Sequence, residues 1–546
     1  MNDPNEWTII FTMHRITIFH YHLQTGGIAQ VISDSVRAIL QQAPDAFEIE
    51  IVSGREEGTG EFISQLREKC ALPPDSPQSG TLASGRLSGG VCELIDYTDM
   101  MEKPPAPDRI EEELLRRYGG TIWWIHNYHL GKNPQFTRAV IDSALHHPEQ
   151  QIVLHIHDFP ESGRFYNFKR IHDQIEGQLY PVAPNVRYVV INKRDRDILV
   201  NAGIPEDHVF LLNNPIDTDN AKPVDIWHVS EKINTWAGTA LPFWEPDGKL
   251  LLYPVRAIRR KNVLEAALLT RMIDTPANLL VTLPGRSSQE KQYSDLVARV
   301  FEEKLVPGAW AVGTRLDEFG TSFHELTRSA DMVLSSSIQE GFGFLFINSL
   351  LWSVPLVARE LDILDGIKSF FSPERSCFYE RISVPLKDPD RRNMKTSFSL
   401  ALESLDGLLP GDLLAGLATE IDDILKEDTI DYSFLTAGIQ YDHLREAAGP
   451  SSYREELREI NAEVVAVTEN LLRGAKPVSN TQVKSAFGPA AHTARVLEVL
   501  NSFSSSGGRK DKQPANTPSE PIDEIEEKVL RAFCHADYLR PLFLFH

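Results

Sequence analysis

An acid and two glycines follow an apolar segment in the second half of the chain, between residues 337 and 348. Glu340 is followed directly by Gly341, and Gly343 stands two positions further on. A glycine-rich turn between a strand and a helix directs backbone N–H groups toward an anion at the positive end of the helix. A carboxylate there can accept hydrogen bonds from sugar hydroxyls. The segment predicts a phosphate site next to a sugar site, with a helix cap as the alternative role for Glu340.

A basic loop precedes this segment along the chain. Arg256 and Lys261 flank the loop after an apolar strand predicted over Leu250–Val255. A guanidinium fork together with a mobile ammonium suits a diphosphate leaving group. Arg259 and Arg260 also lie in the loop, so a solvated basic turn is the alternative and is favoured when the loop is taken alone.

Several histidines stand at or just past the ends of three predicted strands: His20, His22, His126, His129, His155 and His157. We expect most of them to be structural or to line a ligand site. No pair has the helical spacing that would indicate a metal site, and none is predicted. His157 is the most interesting of the group, because Asp158 and Pro160 follow it where a strand gives way to a loop.

The pattern around these residues is an apolar strand followed by an amphipathic helix, repeated from residue 16 to about residue 214. Such βα units build a parallel sheet. A helix is predicted over Ile28–Leu40, directly after Thr25-Gly26-Gly27. Whether Trp7–Met13 forms a further strand is left open. The predicted strands are Ile16–His20, Phe47–Val52, Thr121–His126, Gln151–His157, Val186–Ile191 and Val209–Leu212.

The proline-containing stretch 221–248 breaks this rhythm and is predicted to connect two domains. A second βα series follows. Its strands are predicted over Leu250–Val255, Leu279–Leu283, Met332–Leu334 and Pro355–Ala358, with helices beginning near Asn262, Gln289, Phe323 and Gly343. Two successive α/β sheets predict two facing Rossmann-like domains with a cleft between them.

Beyond about residue 385 the sequence predicts mostly helices, including Tyr453–Leu472 and Thr493–Leu500. The segment 502–521 has the composition of a disordered linker. A short amphipathic helix over Ile522–Phe533 and an apolar end, Leu542–Phe545, follow it. The predicted boundaries are 1–235 for the first domain, 236–430 for the second, 431–501 for a helical extension, 502–521 for the linker and 522–546 for the terminal helix and tail.

The composition narrows the range of partners. The 546 residues carry a formal net charge of -22, which argues against a nucleic-acid surface or an extended contact with anionic membranes. No apolar run is long enough to cross a bilayer, and the start lacks the basic region of a signal peptide. The four cysteines are scattered without CxxC spacing. We therefore expect a cytoplasmic protein that acts on a small polar compound.

The order of these motifs resembles the retaining GT-B glycosyltransferases of family 4, a group that includes sucrose-phosphate synthase and trehalose synthase. The resemblance covers about residues 16 to 365. Each motif is weak alone, and their order makes them specific together. They are Thr25-Gly26-Gly27, His157-Asp158, Asn213-Asn214-Pro215-Ile216-Asp217, the loop from Arg256 to Lys261, Pro284-Gly285-Arg286 and the Glu340 segment.

The resemblance implies a role for each motif. Arg256 and Lys261 would hold the diphosphate of a nucleotide sugar, Glu340 would contact a hydroxyl of the donor sugar, and His157 would contact that sugar near the reacting carbon. Other residues would approach the donor with backbone or small side chains: Gly26, Gly27, Gly285, Gly341, Phe342, Gly343 and Phe344. No metal or other cofactor is expected, because the cations would neutralise the phosphates.

Asn348 departs from the family pattern, which has a second glutamate eight positions after the first. In the family that acid binds the ribose of the nucleotide. The amide of Asn348 keeps an acceptor oxygen and adds a donor, so donor binding is expected to be retuned. Ser353 also stands where the family has a glycine before the next strand.

The resemblance predicts transfer of a hexose from a nucleotide sugar to a small soluble hydroxyl acceptor, with retention at the anomeric carbon. The acceptor would be a sugar, a sugar phosphate or a glycerate-type compound. His126, His129 and Lys132 are the candidates for its site, although Lys132 can equally be a surface lysine. Alternatives are a phosphorylase or a sugar-nucleotide epimerase, and a catalytically silent nucleotide-sugar-binding scaffold. The carboxy-terminal helices are a candidate surface for self-association.

Overall fold

The protein consists of two compact units. In the computed structural model, unit 1 comprises residues 1–218 and 484–532, and unit 2 comprises residues 219–483 and 533–546. The structure describes residues 13–24, 26–72, 86–175, 178–216, 224–450, 452–474, 481–505 and 524–540. Within these ranges, no helix is both long enough and apolar enough to span a membrane.

Unit 1 is built on a parallel sheet of seven strands in the order β3-β2-β1-β4-β5-β6-β7. Its strands are β1 (His14–His20), β2 (Phe47–Ser53), β3 (Leu87–Val91), β4 (Ile122–His126), β5 (Ile152–Ile156), β6 (Val186–Val190) and β7 (Val209–Leu211). Its first six helices are α1 (Gly27–Gln42), α2 (Thr59–Lys69), α3 (Pro107–Tyr118), α4 (Pro134–His146), α5 (Phe165–His172) and α6 (Lys193–Ala202). Strands β4, β5 and β6 are buried along their whole length, as expected for parallel strands with both faces covered.

The six strands predicted for this half are confirmed, but β3 was not predicted. Two glycines, Gly89 and Gly90, reduce the strand propensity of this segment. A Cβ atom at Gly89 would lie 2.6 Å from Cγ1 of Ile63 in α2, so close packing of the helix requires a residue without a side chain. The undecided strand Trp7–Met13 lies outside the described residues except for Met13, which precedes β1.

Unit 2 contains a second parallel sheet, in the order β10-β9-β8-β11-β12-β13, and a separate antiparallel pair, β14 with β15. Its strands are β8 (Lys249–Arg256), β9 (Ala277–Leu283), β10 (Gly308–Ala309), β11 (Met332–Ser335), β12 (Leu356–Arg359), β13 (Ser376–Tyr379), β14 (Ser383–Pro385) and β15 (Thr429–Asp431). Its helices through residue 474 are α7 (Ile226–Ala240), α8 (Val263–Met272), α9 (Ser288–Glu302), α10 (Phe323–Ser329), α11 (Phe344–Trp352), α12 (Asp388–Glu403), α13 (Gly411–Ile424), α14 (Ala437–Ala448), α15 (Tyr453–Ile460) and α16 (Ala462–Gly474). Two Rossmann-like parallel sheets in succession confirm the predicted α/β class of both domains.

Helix α7 lies within residues 221–248, the stretch that was predicted to connect the domains. Its prolines lie outside the helix, which leaves room for fifteen helical residues between them. Trp236 packs on Phe319 with ring centroids 4.7 Å apart, and Lys232 Nζ donates to the carbonyl of Gly320 at 3.1 Å. These contacts place α7 in unit 2, so the division falls after residue 218 and not after residue 235.

The helical extension predicted over 431–501 is shared between the two units. The chain continues with α17 (Thr481–Phe487), α18 (Pro489–Ser505), α19 (Glu524–Phe533) and α20 (Ala536–Leu539). Helix α18 returns to unit 1, where Val496, Val499 and Leu500 join the same apolar core as α1. Arg187 of β6 fixes the end of α18, because its Nε donates to the hydroxyl of Ser502 at 2.8 Å.

Two further predictions for the carboxy-terminal part of the chain are only partly correct. The helix predicted over Tyr453–Leu472 is two helices, because the Asn461 side chain exchanges hydrogen bonds of 2.8 Å with the backbone of Ser383 in β14. The predicted linker begins inside α18, which runs to Ser505. The rest of the linker and the segment Leu542–Phe545 lie outside the described residues.

Candidate functional site

Two loops of unit 2 meet because their strands are neighbours in the sheet. Strands β8 and β11 are paired in parallel, so the segments that follow them emerge at the same edge. Lys261, after β8, forms a hydrogen-bonded ion pair with Glu340, after β11. Open α/β sheets bind ligands at this carboxyl edge. The structure therefore brings together two candidate residues that lie 79 positions apart in the sequence.

The Lys261–Glu340 pair is largely shielded from solvent, with side chains 14% and 12% exposed. Burial acts to raise the pKa of Glu340, but the charges of Lys261 and Arg260 outweigh it and hold the pKa below its usual value. Burial lowers the pKa of Lys261 to about 8, against the opposing effect of Glu340. Both groups are therefore charged at neutral pH. Arg260 contributes a second, looser contact, with Nη1 3.7 Å from Glu340 Oε2.

Buried hydroxyl groups hold the two loops in this arrangement. Tyr253 of β8 donates to the carbonyl of Lys261 at 2.6 Å and lies 3.0 Å from the hydroxyl of Ser337. Ser336 donates to the carbonyl of Asn262 at 2.8 Å. These bonds fix both backbones, which leaves the Lys261 and Glu340 side chains as the polar groups that face one another.

Arg256 has a different partner. Its Nη1 lies 3.7 Å from Oε1 of Glu290, in the first turn of α9, and its Nε is buried without a hydrogen-bond partner among the described residues. Glu290 also accepts a hydrogen bond from the backbone of Arg286 at 2.7 Å. A Cβ atom at Gly285 would lie 2.8 Å from Cβ of Glu290, so glycine is required for the loop to pass the helix.

Helix α11 begins directly after the Glu340 turn. Gly343 precedes it with φ +80°, and a Cβ there would also lie 2.8 Å from the Phe346 ring, so the turn depends on glycine. Gly341 is half-buried and Phe342 is buried. Phe344 is 37% exposed and meets Phe342 edge to face at 4.9 Å. The first N–H groups of an α-helix have no partner within the helix, and here no acidic side chain occupies the first turn.

Asn348 lies in the second turn of α11. Its side chain is half-buried, and its amide makes no hydrogen bond to the described part of the chain. The described part of the chain therefore does not fix the orientation of this amide.

Four histidines gather at the carboxyl edge of the sheet in unit 1. His20 ends β1, His126 ends β4, and His155 and His157 lie at the end of β5. All four are buried, with exposed fractions of 6% or less. Burial lowers the pKa of His20 to about 3 and that of His157 to about 4, although Asp158 acts to raise the latter. The group is therefore uncharged at neutral pH.

Hydrogen bonds fix the orientation of these rings. His126 Nδ1 lies 2.8 Å from His157 Nε2, and Trp124 Nε1 donates to His155 Nδ1 at 3.0 Å. The backbone N–H of His157 donates to the Asn127 side chain at 2.8 Å. Nitrogens of His126, His155 and His157 lie within 4.8 Å of one another, a spacing that a metal ion can use. Metal binding would have to replace the His126–His157 bond or use the remaining nitrogens.

The other candidates of unit 1 lie in distinct surroundings. His129 is fully buried, stacks on Tyr128 and meets Phe159 and Tyr180 edge to face. Lys132 is half-buried and lies over the ring of Tyr97, with Nζ 5.2 Å from the ring centroid.

Gly26 and Gly27 are exposed at the start of α1, and Thr25 lies outside the described residues. A Cβ at Gly27 would meet nothing within 4 Å, and one at Gly26 would make only an ordinary contact. Packing inside the protein therefore does not require either glycine, and the space beside them is open to a ligand.

Several polar residues at the carboxyl edge of unit 1 were not predicted from the sequence, among them Arg55, Tyr97 and Arg170. Arg55 follows β2, and Tyr97 follows β3, the strand that was not predicted. Knowledge of β3 would have placed Tyr97 beyond a strand end. Charge alone could not single out Arg55 and Arg170, because the sequence contains 55 lysines and arginines.

Comparison with known proteins gives one full-length sequence relative. No protein-family model matches the chain. The chain is 28% identical over 533 residues to mannosylglucosyl-3-phosphoglycerate synthase of Petrotoga mobilis, covering 97% of this chain and 100% of that protein.

Structural matches are more distant. HepE of Anabaena, solved in complex with UDP, matches at 12% identity with a TM-score of 0.46, covering 90% of this chain and 100% of its own. Sucrose-phosphate synthase of Thermosynechococcus elongatus matches at 12% identity with a TM-score of 0.42, covering 84% and 98%. The fold rests on the two parallel sheets themselves. Together with the full-length relative, those sheets confirm that the chain resembles the GT-B glycosyltransferases.

Proposed function

We propose that this protein transfers a hexose from a nucleotide sugar to a hydroxyl group of a small acceptor that contains phosphoglycerate, with retention of the anomeric configuration. The buried Lys261–Glu340 pair beside the start of α11 carries the proposal, because it joins a cation, a carboxylate and a helix N-terminus at one sheet edge. The similarity to a full-length relative, mannosylglucosyl-3-phosphoglycerate synthase, supports the choice of acceptor.

Lys261 is suited to the diphosphate of the donor. Its ammonium has three N–H donors, and one bond to Glu340 leaves two for phosphate oxygens. Arg256 has only a loose contact of 3.7 Å with Glu290, so its guanidinium can turn donors toward the same group. The first N–H groups of α11 would donate to phosphate oxygens at the positive end of the helix dipole. These groups would stabilise the charge that develops on the leaving diphosphate.

Glu340 would orient the donor sugar. Its carboxylate stays ionised because Lys261 and Arg260 hold its pKa low, so it can accept hydrogen bonds from two sugar hydroxyls. Asn348, without a partner in the described residues, would meet a hydroxyl of the nucleotide ribose. The remaining donor contacts are proposed from the resemblance in motif order, and only Gly26 and Gly27 have open space beside them in the structure. The residues proposed are Gly26, Gly27, Gly285, Gly341, Phe342, Gly343 and Phe344.

The histidines of unit 1 would act near the reacting sugar. We propose that the neutral ring of His157 contacts a donor hydroxyl, while His126 positions that ring through the 2.8 Å bond. Lys132 is proposed to bind the acceptor. His129 was predicted to contact the acceptor as well, but its place inside an aromatic shell suits a structural role better. In this mechanism a phosphate oxygen of the leaving group receives the proton of the attacking hydroxyl.

Release of nucleoside diphosphate, measured with panels of nucleotide sugars and acceptors, tests the proposal. Lys261→Met should lower kcat/KM by about 100- to 1,000-fold, the usual loss for one preorganised transition-state donor. Lys249→Met is the matched control, because that lysine lies at the other end of β8 and pairs with Asp331 at 2.9 Å. Glu340→Gln should also lose activity, since it keeps the shape but removes the charge.

A Lys261→Met protein that is folded and as active as Lys249→Met would contradict the assigned role of the pair. Turnover that needs inorganic phosphate, or that proceeds without an acceptor, would point to a phosphorylase or an epimerase. Tight donor binding without any turnover would point to a scaffold.

A further inference from the structure

A second group of charged residues lies at the carboxyl edge of the sheet in unit 1, apart from the four histidines. Its members surround Tyr97 and Thr98, and we call them the Tyr97 cluster: His22, Arg55, Tyr97, Lys132, Arg164 and Arg170. They come from the segments after β1, β2, β3, β4 and β5. In the sheet these five strands are neighbours, in the order β3-β2-β1-β4-β5. The fold thus collects residues that are up to 148 positions apart in the sequence.

Tyr97 is the centre of the cluster. Arg55 Cζ lies 5.1 Å from the centroid of the Tyr97 ring, and Lys132 Nζ lies 5.2 Å from it. The Tyr97 hydroxyl is 3.1 Å from His22 Nε2. Cations over an aromatic face are held in place without losing their charge, which keeps their donors available.

The three arginines of the cluster each have a carboxylate partner. Arg55 Nε lies 2.7 Å from Asp96, Arg170 Nη2 lies 2.7 Å from Asp99, and Arg164 Nη2 lies 3.1 Å from Asp158. Lys132 has no carboxylate within 4.0 Å among the residues that the structure describes. Four cations therefore face three carboxylates, and one positive charge is left over.

The unmatched charge is also partly removed from water. Burial lowers the pKa of Lys132, and the nearby charges of Arg164 and Arg170 lower it further, although Asp99 opposes them. Two other polar atoms of the cluster, Arg55 Nη2 and His22 Nδ1, are buried without a hydrogen-bond partner in the described ranges. Buried polar groups are usually hydrogen-bonded, so the structure offers unused donors here beside an unmatched positive charge. An anion with several oxygens would supply acceptors for such donors.

We infer that the Tyr97 cluster is the recognition site for a phosphate monoester, which is the phosphate group of the acceptor. This assignment rests on the proposed function for the identity of the acceptor. The cluster itself argues only for an oxyanion: it combines a point charge, guanidinium donors and a carboxyl edge of a parallel sheet. The phosphate of the nucleotide donor is the other possible source of such a group, and the experiment below separates the two.

Binding of 3-phosphoglycerate to the full chain, measured by calorimetry at fixed ionic strength, tests the inference without requiring turnover. Lys132→Met should weaken this binding about 10- to 100-fold, the usual effect of losing one charged hydrogen bond. Glycerate, which lacks the phosphate, should bind the variant and the parent alike. Lys169→Met is the matched control, because this exposed lysine lies beside Arg170 in α5 and pairs with Asp173. Arg164→Gln should give a smaller loss in the same direction, since Arg164 is 39% exposed.

Steady-state kinetics then identifies the source of the phosphate. In the Lys132→Met protein, KM for the phosphorylated acceptor should rise while KM for the nucleotide sugar stays unchanged. A rise in KM for the donor, or unchanged binding of 3-phosphoglycerate, would overturn the inference. If no acceptor supports transfer but 3-phosphoglycerate binding still depends on Lys132, the proposed function fails and the phosphate site stands.

Discussion

The buried ring of His129 makes the stability of unit 1 depend on pH in a way that one substitution can expose. His129 is 0% exposed, and neither ring nitrogen has a hydrogen-bond partner among the described residues. Burial lowers its pKa from 6.5 to about 3. The unfolded chain therefore binds a proton below pH 6.5 that the folded chain does not. A group with a lowered pKa of this kind contributes stability at high pH, which is lost as the pH falls from 6.5 toward 3.

The size of the effect follows from the pKa difference. At pH 5.5 the unfolded histidine is mostly protonated and the folded one is not, which costs the native state about 1.4 kcal/mol. At pH 7.5 the same cost is close to zero. The nearly isosteric change His129→Phe removes the titration and keeps contact with Tyr128, Phe159 and Tyr180. Any constant packing difference between the two side chains cancels when the two pH values are compared.

Hydrogen exchange of the β4 peptide, measured by mass spectrometry, reports the opening of unit 1 in the intact protein. Parent and variant are compared at the same pH, so that intrinsic exchange rates cancel. The exchange rate of the parent relative to His129→Phe should rise about tenfold between pH 7.5 and pH 5.5. His228→Phe, at an exposed position of α7 in unit 2, serves as the control and should leave β4 exchange as in the parent. A constant ratio for His129→Phe would show that the ring is accessible to protons in the folded state, which would revive its role as an acceptor contact.

Two further predictions concern buried charges. Burial and the charge of Glu526 raise the pKa of Glu161 to about 8, so the stability this group contributes is complete below about pH 4.5 and is lost as the pH rises through 8. The stability of Glu161→Gln relative to the parent should therefore rise between pH 5 and pH 8. Hydrogen exchange of α19 peptides measures this, and a difference between variant and parent that stays constant over this range would refute the prediction. Arg359 is 1% exposed and pairs with Glu265 at 2.6 Å and with Asp431 at 2.7 Å. Arg359→Met should lower the free energy of unfolding by about 3 to 5 kcal/mol, because Glu265 loses its cation and Asp431 keeps only the looser contact with Arg540 at 3.5 Å. A loss no greater than that of the surface variant Lys426→Met in urea denaturation would contradict this.

The buried central strands of the parallel sheets were predicted from the sequence, whereas the edge strand β3 and the position of helix α18 were not. Apolar strands such as β4 and β5 are buried on both faces, so their composition alone identifies them. Strand β3 was missed because packing against Ile63 requires glycine where strand propensity would require a larger residue. The return of α18 to unit 1 was missed for a different reason. An amphipathic helix shows that it packs, but not which surface it packs on.

The residues of the candidate site were also predicted only in part. Position after two strands made Lys261 and Glu340 candidates, but the order of motifs was needed to select them, because the basic loop alone favoured a solvated turn. The partner of Arg256 was not predictable, since Glu290 belongs to a helix that begins after another strand. The Tyr97 cluster was hidden because its residues come from five separate segments, and only the strand order brings those segments to one edge.

The measurement that tests the central claim most directly is the mass of the product formed from a nucleotide sugar and a glycoside of 3-phosphoglycerate. The purified chain should convert this acceptor into a product that is heavier by one anhydrohexose unit, and each product molecule should be accompanied by one nucleoside diphosphate. The acceptor phosphate should remain in the product. A folded protein that binds the nucleotide sugar but yields no such product with any of the naturally occurring hexose donors would contradict the account.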